Sequence, residues 1–206
     1  MDRCSNLHAL PLVKSRPGRV WAAFVGRNND VNIIASGEMH LRWDGNYWHL
    51  RDRTILTSIL NQHGCAIELA EAIALAIYAL SDLRSGTVIL IPDVDSALPK
   101  TVGSIDATVL GQALQHIFLH KSFIALAASG LVVGLLTSDG LTTVSKTGAI
   151  LSCGDIVDIS QATQSKPTGG GRTHAAVAAS SFGIAIKVSD DGPITVYRNG
   201  NQLIKI

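Results

Sequence analysis

Apolar and polar positions follow two different rhythms along this 206-residue chain. The first stretch holds short apolar runs broken by turn residues. After a polar lead-in over residues 1–19, VWAAFV (residues 20–25) reads as a strand, Asn28-Asn29-Asp30 as a turn and VNIIASGEMHLRW as extended chain. Asp44-Gly45-Asn46 is a hairpin signal leading into YWHLRD, because these residues tolerate the positive φ of tight hairpin turns. A helical period begins near Thr54, where Ile, Leu and Ala recur at three- and four-residue spacing in ILTSILNQ and again in CAIELAEAIALAIYALSDL. The second run is apolar nearly all round, which predicts a central, packed helix. TVILIP (residues 87–92) reads as a fully buried strand and ATVLGQALQHIFLH as a further helix.

Beyond that point the period shortens. The apolar run Phe123–Leu136 predicts a buried strand with its approach, and LTTVS and AILSCG predict two more strands. Ser138-Asp139-Gly140 and Lys146-Thr147-Gly148 are the expected turns between them. A polar, glycine-rich loop, QATQSKPTGGGR, precedes a short Ala-rich helix, THAAVAASS. GIAIKVS, ITVYR and QLIKI then read as strands, joined by Asp190-Asp191-Gly192-Pro193 and by Asn199-Gly200. Helices alternating with strands, with hairpins toward the end, predict an α/β fold: a mixed central β-sheet flanked by helices, with an N-terminal β-rich extension. The expected division is 1–60 for the extension and 61–206 for the α/β domain.

Composition narrows the function classes. Hydrophobic residues make up 47% of the chain and charged residues 16%, so it can bury a large core and is no disordered tail. Seventeen Lys and Arg against sixteen Asp and Glu give a net charge of +1, too little field for a general nucleic-acid or acidic-membrane binder. No direct DNA binding is expected, and low surface charge favours self-association. Cys4, Cys65 and Cys153 form no metal or disulfide spacing and read as reduced thiols. With no continuous apolar run near the start and none of bilayer length, the expected location is cytoplasmic, with no membrane partner.

Three local features bear on chemistry. Gly169-Gly170-Gly171, with Arg172 and a helix start at Thr173, suits a phosphate: glycine amides approach closely, a helix N-terminus adds donors, and a guanidinium adds charge. The plain alternative is a flexible linker. Asp139, and Asp190-Asp191, are first of all turn residues; their functional reading is a pair of carboxylates holding Mg²⁺ or Mn²⁺ against nucleotide phosphates. His116 and His120 share a helix face but lack the carboxylate and third ligand of a metal site. Lys146-Thr147-Gly148 has no S-x-x-K to accompany it and the chain holds no G-x-S-x-G, which argues against a serine nucleophile. The Trp and Tyr residues of the N-terminal meander lack interleaved basic residues and read as packing.

The order of these features carries more than any one of them. An apolar pair around an Asp-Gly turn, GAILSCG, a long polar loop, a Gly-rich Arg/His segment opening an Ala-rich helix, IAIKVSDDG, ITVYRNG and a last strand follow one another. That succession resembles the diadenylate cyclase domain, the nucleotide-binding domain at the N-terminus of the DNA-integrity-scanning protein. The resemblance covers roughly residues 65–206 and is specific from about Leu131 onward. The family's Asp-Gly-Ala signature falls on Asp139, Gly140 and Leu141, with Leu in place of Ala. Its Arg-His-Arg segment falls on Arg172, Thr173 and His174, of which only the first Arg matches, and Gly171 stands where the family has Thr. Its acidic Val-Ser-Glu segment places Ser189 and Asp190.

The resemblance implies a domain that holds ATP and, face to face with a second copy, condenses two ATP to cyclic di-AMP and pyrophosphate with Mg²⁺ or Mn²⁺. It implies Asp139 and Asp190 as metal ligands, with Asp139 and Arg172 catalytic. Gly140 and Leu141 would lie against the nucleotide, and Gly169, Gly170, Gly171, Arg172, Thr173, His174 and Ser189 would hold it. Losing the second arginine removes one fixed cation, and a histidine at position 174 is not a fixed cation in its place. The alternative is therefore a catalytically degenerate nucleotide sensor of the same fold, binding ATP or cyclic di-AMP as a homo-oligomer.

Overall fold

The computed structural model describes residues 21–25, 30–35, 40–43, 45, 48–104, 116–161 and 168–206. The chain parts into two compact units between Asp52 and Arg53, not at residue 60. The reason is packing: the helix α1 (Arg53–Gln62) buries Leu56 and Leu60 completely and packs on α2 (Ile67–Leu83).

The first unit is a four-stranded antiparallel sheet in the order β1 (Trp21–Val25), β2 (Val31–Ala35), β3 (His40–Trp43), β4 (Trp48–Leu50). Trp43 lies opposite Trp48 across β3 and β4, with ring centroids 5.5 Å apart. Asp30 accepts from Arg42 Nη2 at 2.7 Å and from Nε at 3.0 Å, both residues being buried, so the charge taken out of water is paired.

The second unit is a seven-stranded mixed sheet with helices packed on it. After α2 come β5 (Thr87–Pro92), β6 (Thr101–Ser104), α3 (Phe123–Ala128), α4 (Leu131–Leu136), β7 (Leu141–Val144) and β8 (Ile150–Val157). A short 3-10 turn (Ile159–Gln161) and α5 (Gly171–Ala179) lead to β9 (Gly183–Val188), β10 (Ile194–Arg198) and β11 (Asn201–Lys205). The spatial order is β11-β10-β9-β5-β7-β8-β6, with β5 parallel to β7 and the other pairings antiparallel. The expected fold class is the one observed.

Every residue of β5 is buried, as its unbroken apolar run predicts for a strand covered on both faces. On one face Val88, Leu90, Leu141, Ala185 and Tyr197 pack beneath Ala176–Ala179 of α5. The alternate residues Ile184, Ile186 and Val196 are equally buried where α2 meets β9 and β10. At the end of α2 a backbone motif closes the helix: Ser85 N–H donates to the Leu80 carbonyl at 2.9 Å while Arg84 takes the left-handed conformation at φ 52.

Two expectations fail in the stretch before β7. Phe123–Leu136 is not a strand but two short helices. Ser122 Oγ accepts from Ala125 N–H and caps α3, and Gly130 at φ 76 separates the helices. A run of apolar residues carries no period that tells strand from helix. Asp139 therefore lies in the turn from α4 into β7, not in a hairpin between strands. The helix expected over residues 107–120 falls mostly outside the described residues; His116–Phe118 is helical. β6, which sequence periodicity did not suggest, pairs with β8 at the sheet edge.

Gly183 tests how tightly the central strands meet. A methyl group there would run into the Ile91 carbonyl and the Pro92 backbone across the β5–β9 pair. Gly183→Ala is expected to cost about 1–3 kcal/mol. The measurement is urea unfolding: a lower midpoint at unchanged slope is the expected result, and parental stability would show that the strands have room.

Candidate functional site

β5 and β7 run parallel, with Val88 opposite Leu141, so the turns that feed them open on the same end of the sheet. Gly86 precedes one strand and Asp139 the other. The antiparallel β9 ends there too, and its hairpin to β10 carries Ser189, Asp190 and Asp191. The fourth contributor is α5, whose first turn presents Arg172.

Arg172 joins these turns. Its Nη1 donates to Asp190 Oδ2 at 2.6 Å, and its Nη2 lies 3.7 Å from Asp139 Oδ1. Asp190 Oδ1 accepts from Gly86 N–H at 2.9 Å, so both of its oxygens are engaged. Asp139 is the more open carboxylate, 75% exposed, and its Oδ1 also accepts from Gly140 N–H at 3.1 Å. Gly140 has φ +100, and a Cβ there would press into the backbone of Gly154 at 2.6 Å. Only glycine satisfies both conditions. Three residues singled out from sequence as charged or catalytic (Asp139, Arg172 and Asp190) are thus brought together.

The remaining expected residues divide. Gly170 is the N-cap of α5, its carbonyl accepting from Thr173 N–H at 2.9 Å and His174 N–H at 3.3 Å, and no side chain caps the helix among the described residues. A Cβ at Gly170 or Gly171 would meet open space, whereas at Gly169 it would collide with the Thr173 side chain. Thr173 is buried and its Oγ1 accepts from Lys187 Nζ at 3.0 Å, so that hydroxyl is turned inward. His174 Nδ1 sits 3.1 Å from the Gly170 carbonyl. Leu141 is 1% exposed and belongs to the core beneath α5, with no face toward an outer ligand. Ser189 exchanges main-chain bonds with Pro193 and Gly192 and shapes the hairpin.

Sequence reasoning missed Gly86, where the Asp190 and Arg172 side chains fill the space a Cβ would take. It also missed Lys187, whose alternation on β9 points it at α5. No local signal marks either residue. His116 and His120 join no such cluster, and among the described residues no group of three or more His, Cys, Asp or Glu gathers as a metal centre. No helix of the described residues is long and apolar enough to cross a membrane.

No family model matches this chain, and no curated protein does. Among solved structures it is similar to a protein from Bacillus cereus described as a hypothetical membrane spanning protein, at 22% identity and TM-score 0.45, covering 63% of this chain and 59% of that one. It is also similar to a double mutant of DacA from Staphylococcus aureus, at 16% identity and TM-score 0.42, covering 65% of this chain and 83% of that one. The chain thus spans about three fifths of the first of these. With TM-scores below 0.5, neither likeness carries an inference about this chain.

Burial pushes the Lys187 ammonium below its usual pKa of 10.5; Asp191 opposes that shift and Lys205 adds to it. A cation depressed in the folded state binds fewer protons there than when unfolded, so stability rises as pH climbs through the folded pKa toward 10.5. Relative to Lys187→Gln, the parent protein should gain stability across the alkaline range below that value. Urea midpoints of both proteins at stepped pH check this, and a difference that is flat or falls with pH would remove the burial penalty from Lys187.

Proposed function

We propose that the second unit is a nucleotide-binding domain of the diadenylate cyclase type, with ATP or cyclic di-AMP as its ligand. One observation carries the reading: Asp139 and Arg172, far apart in sequence, meet at one end of the sheet beside the first turn of α5. A guanidinium beside uncapped helix amides suits a phosphate chain. The resemblance in the order of motifs, from the Asp139-Gly140 turn to the VSDD hairpin, supplies the nucleotide and its class.

A donor set of exposed carboxylate and substrate phosphate suits Mg²⁺ or Mn²⁺. Mg²⁺ and Mn²⁺ are commonly held by one or two carboxylates together with substrate phosphates, without an all-protein cage. Asp139, exposed and lightly engaged, would hold such an ion, which supplies positive charge against the phosphates. Arg172 binds and orients the phosphate chain, and the Gly171 and Arg172 amides at the helix start complete that cradle.

Binding without turnover is favoured over condensation by a specific arrangement. Of the three positions aligned with the family's Arg-His-Arg segment, Arg172 alone presents a fixed cation. Thr173 faces inward to Lys187, and His174 leans on the Gly170 carbonyl. Removing a comparable transition-state donor costs roughly a hundred- to a thousandfold in rate elsewhere. Cyclase activity of this type requires two copies face to face and so depends on self-association.

Purified protein with ATP and Mn²⁺ should show a raised melting temperature: a ligand at about 100 Kd adds roughly 2.7 kcal/mol. Arg172→Ala should weaken ATP binding about ten- to a hundredfold, the worth of a hydrogen bond to a charged group. Chromatography of the same mixture reads cyclic di-AMP directly. Product establishes the cyclase; stabilisation without product establishes the sensor. If neither ATP nor cyclic di-AMP shifts the melt, both readings fall.

A further inference from the structure

The two carboxylates beside Arg172 are not equivalent. Resting on the reading of Arg172 as the phosphate cation, we propose that Asp190 and Gly86 are positioning residues that clamp one edge of its guanidinium and leave the other edge for an anionic ligand.

Asp190 receives a side-chain donor on one oxygen, Arg172 Nη1 at 2.6 Å, and a backbone donor on the other, Gly86 N–H at 2.9 Å. Most exposed ion pairs gain little, because two mobile side chains must be held in one geometry. Here the carboxylate is tied to backbone, so its orientation is set before Arg172 arrives. Gly86 follows directly on the close of α2, and the hairpin that carries Asp190 is joined to the same helix by Ser81, whose Oγ donates to the Gly192 carbonyl. A Cβ at position 86 would overlap Asp190 Oδ1, Arg172 Nη1 and Arg172 Cζ, so it would push the two side chains out of this pairing. The guanidinium lies over bare backbone.

Its other edge is held differently. Nη2 to Asp139 Oδ1 is 3.7 Å, longer than a hydrogen bond, and Asp139 is 75% exposed. A phosphate oxygen needs N–H donors at about 2.7–2.9 Å, and Nη2 can give that contact with Nη1 still on Asp190. Asp190 acts through Arg172 and lies outside the metal set; Asp139 is the carboxylate whose contact is exchanged when ligand binds.

The test needs no nucleotide at first. In protein carrying isotopically labelled arginine and free of divalent ions, NMR reads how fast the Arg172 guanidinium rotates about its Nε–Cζ bond. Rotation should be slow in the parent, about tenfold or more faster in Asp190→Asn and in Gly86→Ala, and still slow in Asp139→Asn. Asp190 is exposed, so its amide variant is expected to fold, and Gly86→Ala gives a second route. Slow rotation surviving both changes, or lost equally in Asp139→Asn, would overturn the clamp. Binding of inorganic tripolyphosphate then separates positioning from plain charge. Asp190→Asn should weaken it about tenfold in the parent and not at all in an Arg172→Ala background. Tighter binding in both backgrounds would make Asp190 a repelling charge and overturn the proposal. Should the rotation result hold while neither tripolyphosphate nor ATP binds, the nucleotide reading falls and Asp190 keeps only its hold on Arg172. Should ATP bind while the rotation result fails, the clamp alone is wrong.

Discussion

A buried serine near the end of α2 ties that helix to the hairpin that carries part of the candidate site. Ser81 is completely buried on α2, and its hydroxyl donates to the Gly192 carbonyl in the β9–β10 hairpin. A buried hydroxyl is best placed where its donor is engaged, and this bond joins the helix to the hairpin. Gly86, at the start of β5, lies within hydrogen-bond distance of Asp190. Parallel pairing of β5 with β7 then carries Asp139 to the same end, and α5, packed across β5 and β9, delivers Arg172. The charged groups thus converge where the turns before β5 and β7, the β9–β10 hairpin and the first turn of α5 meet at one end of the sheet.

Much of the fold was legible because the central strands read as short unbroken apolar runs, as expected of strands covered on both faces. β5, β7, β8, β9, β10 and β11 all fall where short apolar runs and Asp-Gly or Asn-Gly turns put them. The failures share a cause. Phe123–Leu136 is apolar nearly throughout, so nothing in its pattern separated strand from helix; Ser122 and Gly130, a cap and a left-handed residue, decided it. Helix α1 was readable as a helix, but the unit it belongs to was not, because its partner α2 is a matter of packing.

The site divides the same way. Asp139, Arg172 and Asp190 were visible because turn chemistry and a glycine-rich loop mark them locally. Gly86 was not, since its constraint is the space taken by two side chains about a hundred residues further on. Leu141 and Thr173 were misjudged as facing a ligand for a related reason. Alternation along β7 and the pitch of α5 decide which way they face, and both turn into the interior.

Charge arithmetic sharpens what this arrangement can do. One guanidinium stands between two carboxylates, so the group of three is net negative, and the nearby Lys187 ammonium is turned inward onto Thr173. A polyphosphate brings more negative charge than Arg172 alone can balance. Recognition in such a site needs a cation that travels with the ligand, together with an arginine whose direction is fixed beforehand so that little ordering remains to be done on binding. Phosphoryl transfer asks more, because charge moving between attacking and leaving oxygens must be met by several fixed donors at once. On the proposed nucleotide reading, one anchored cation with inward-turned neighbours would serve the first task and fall short of donors for the second.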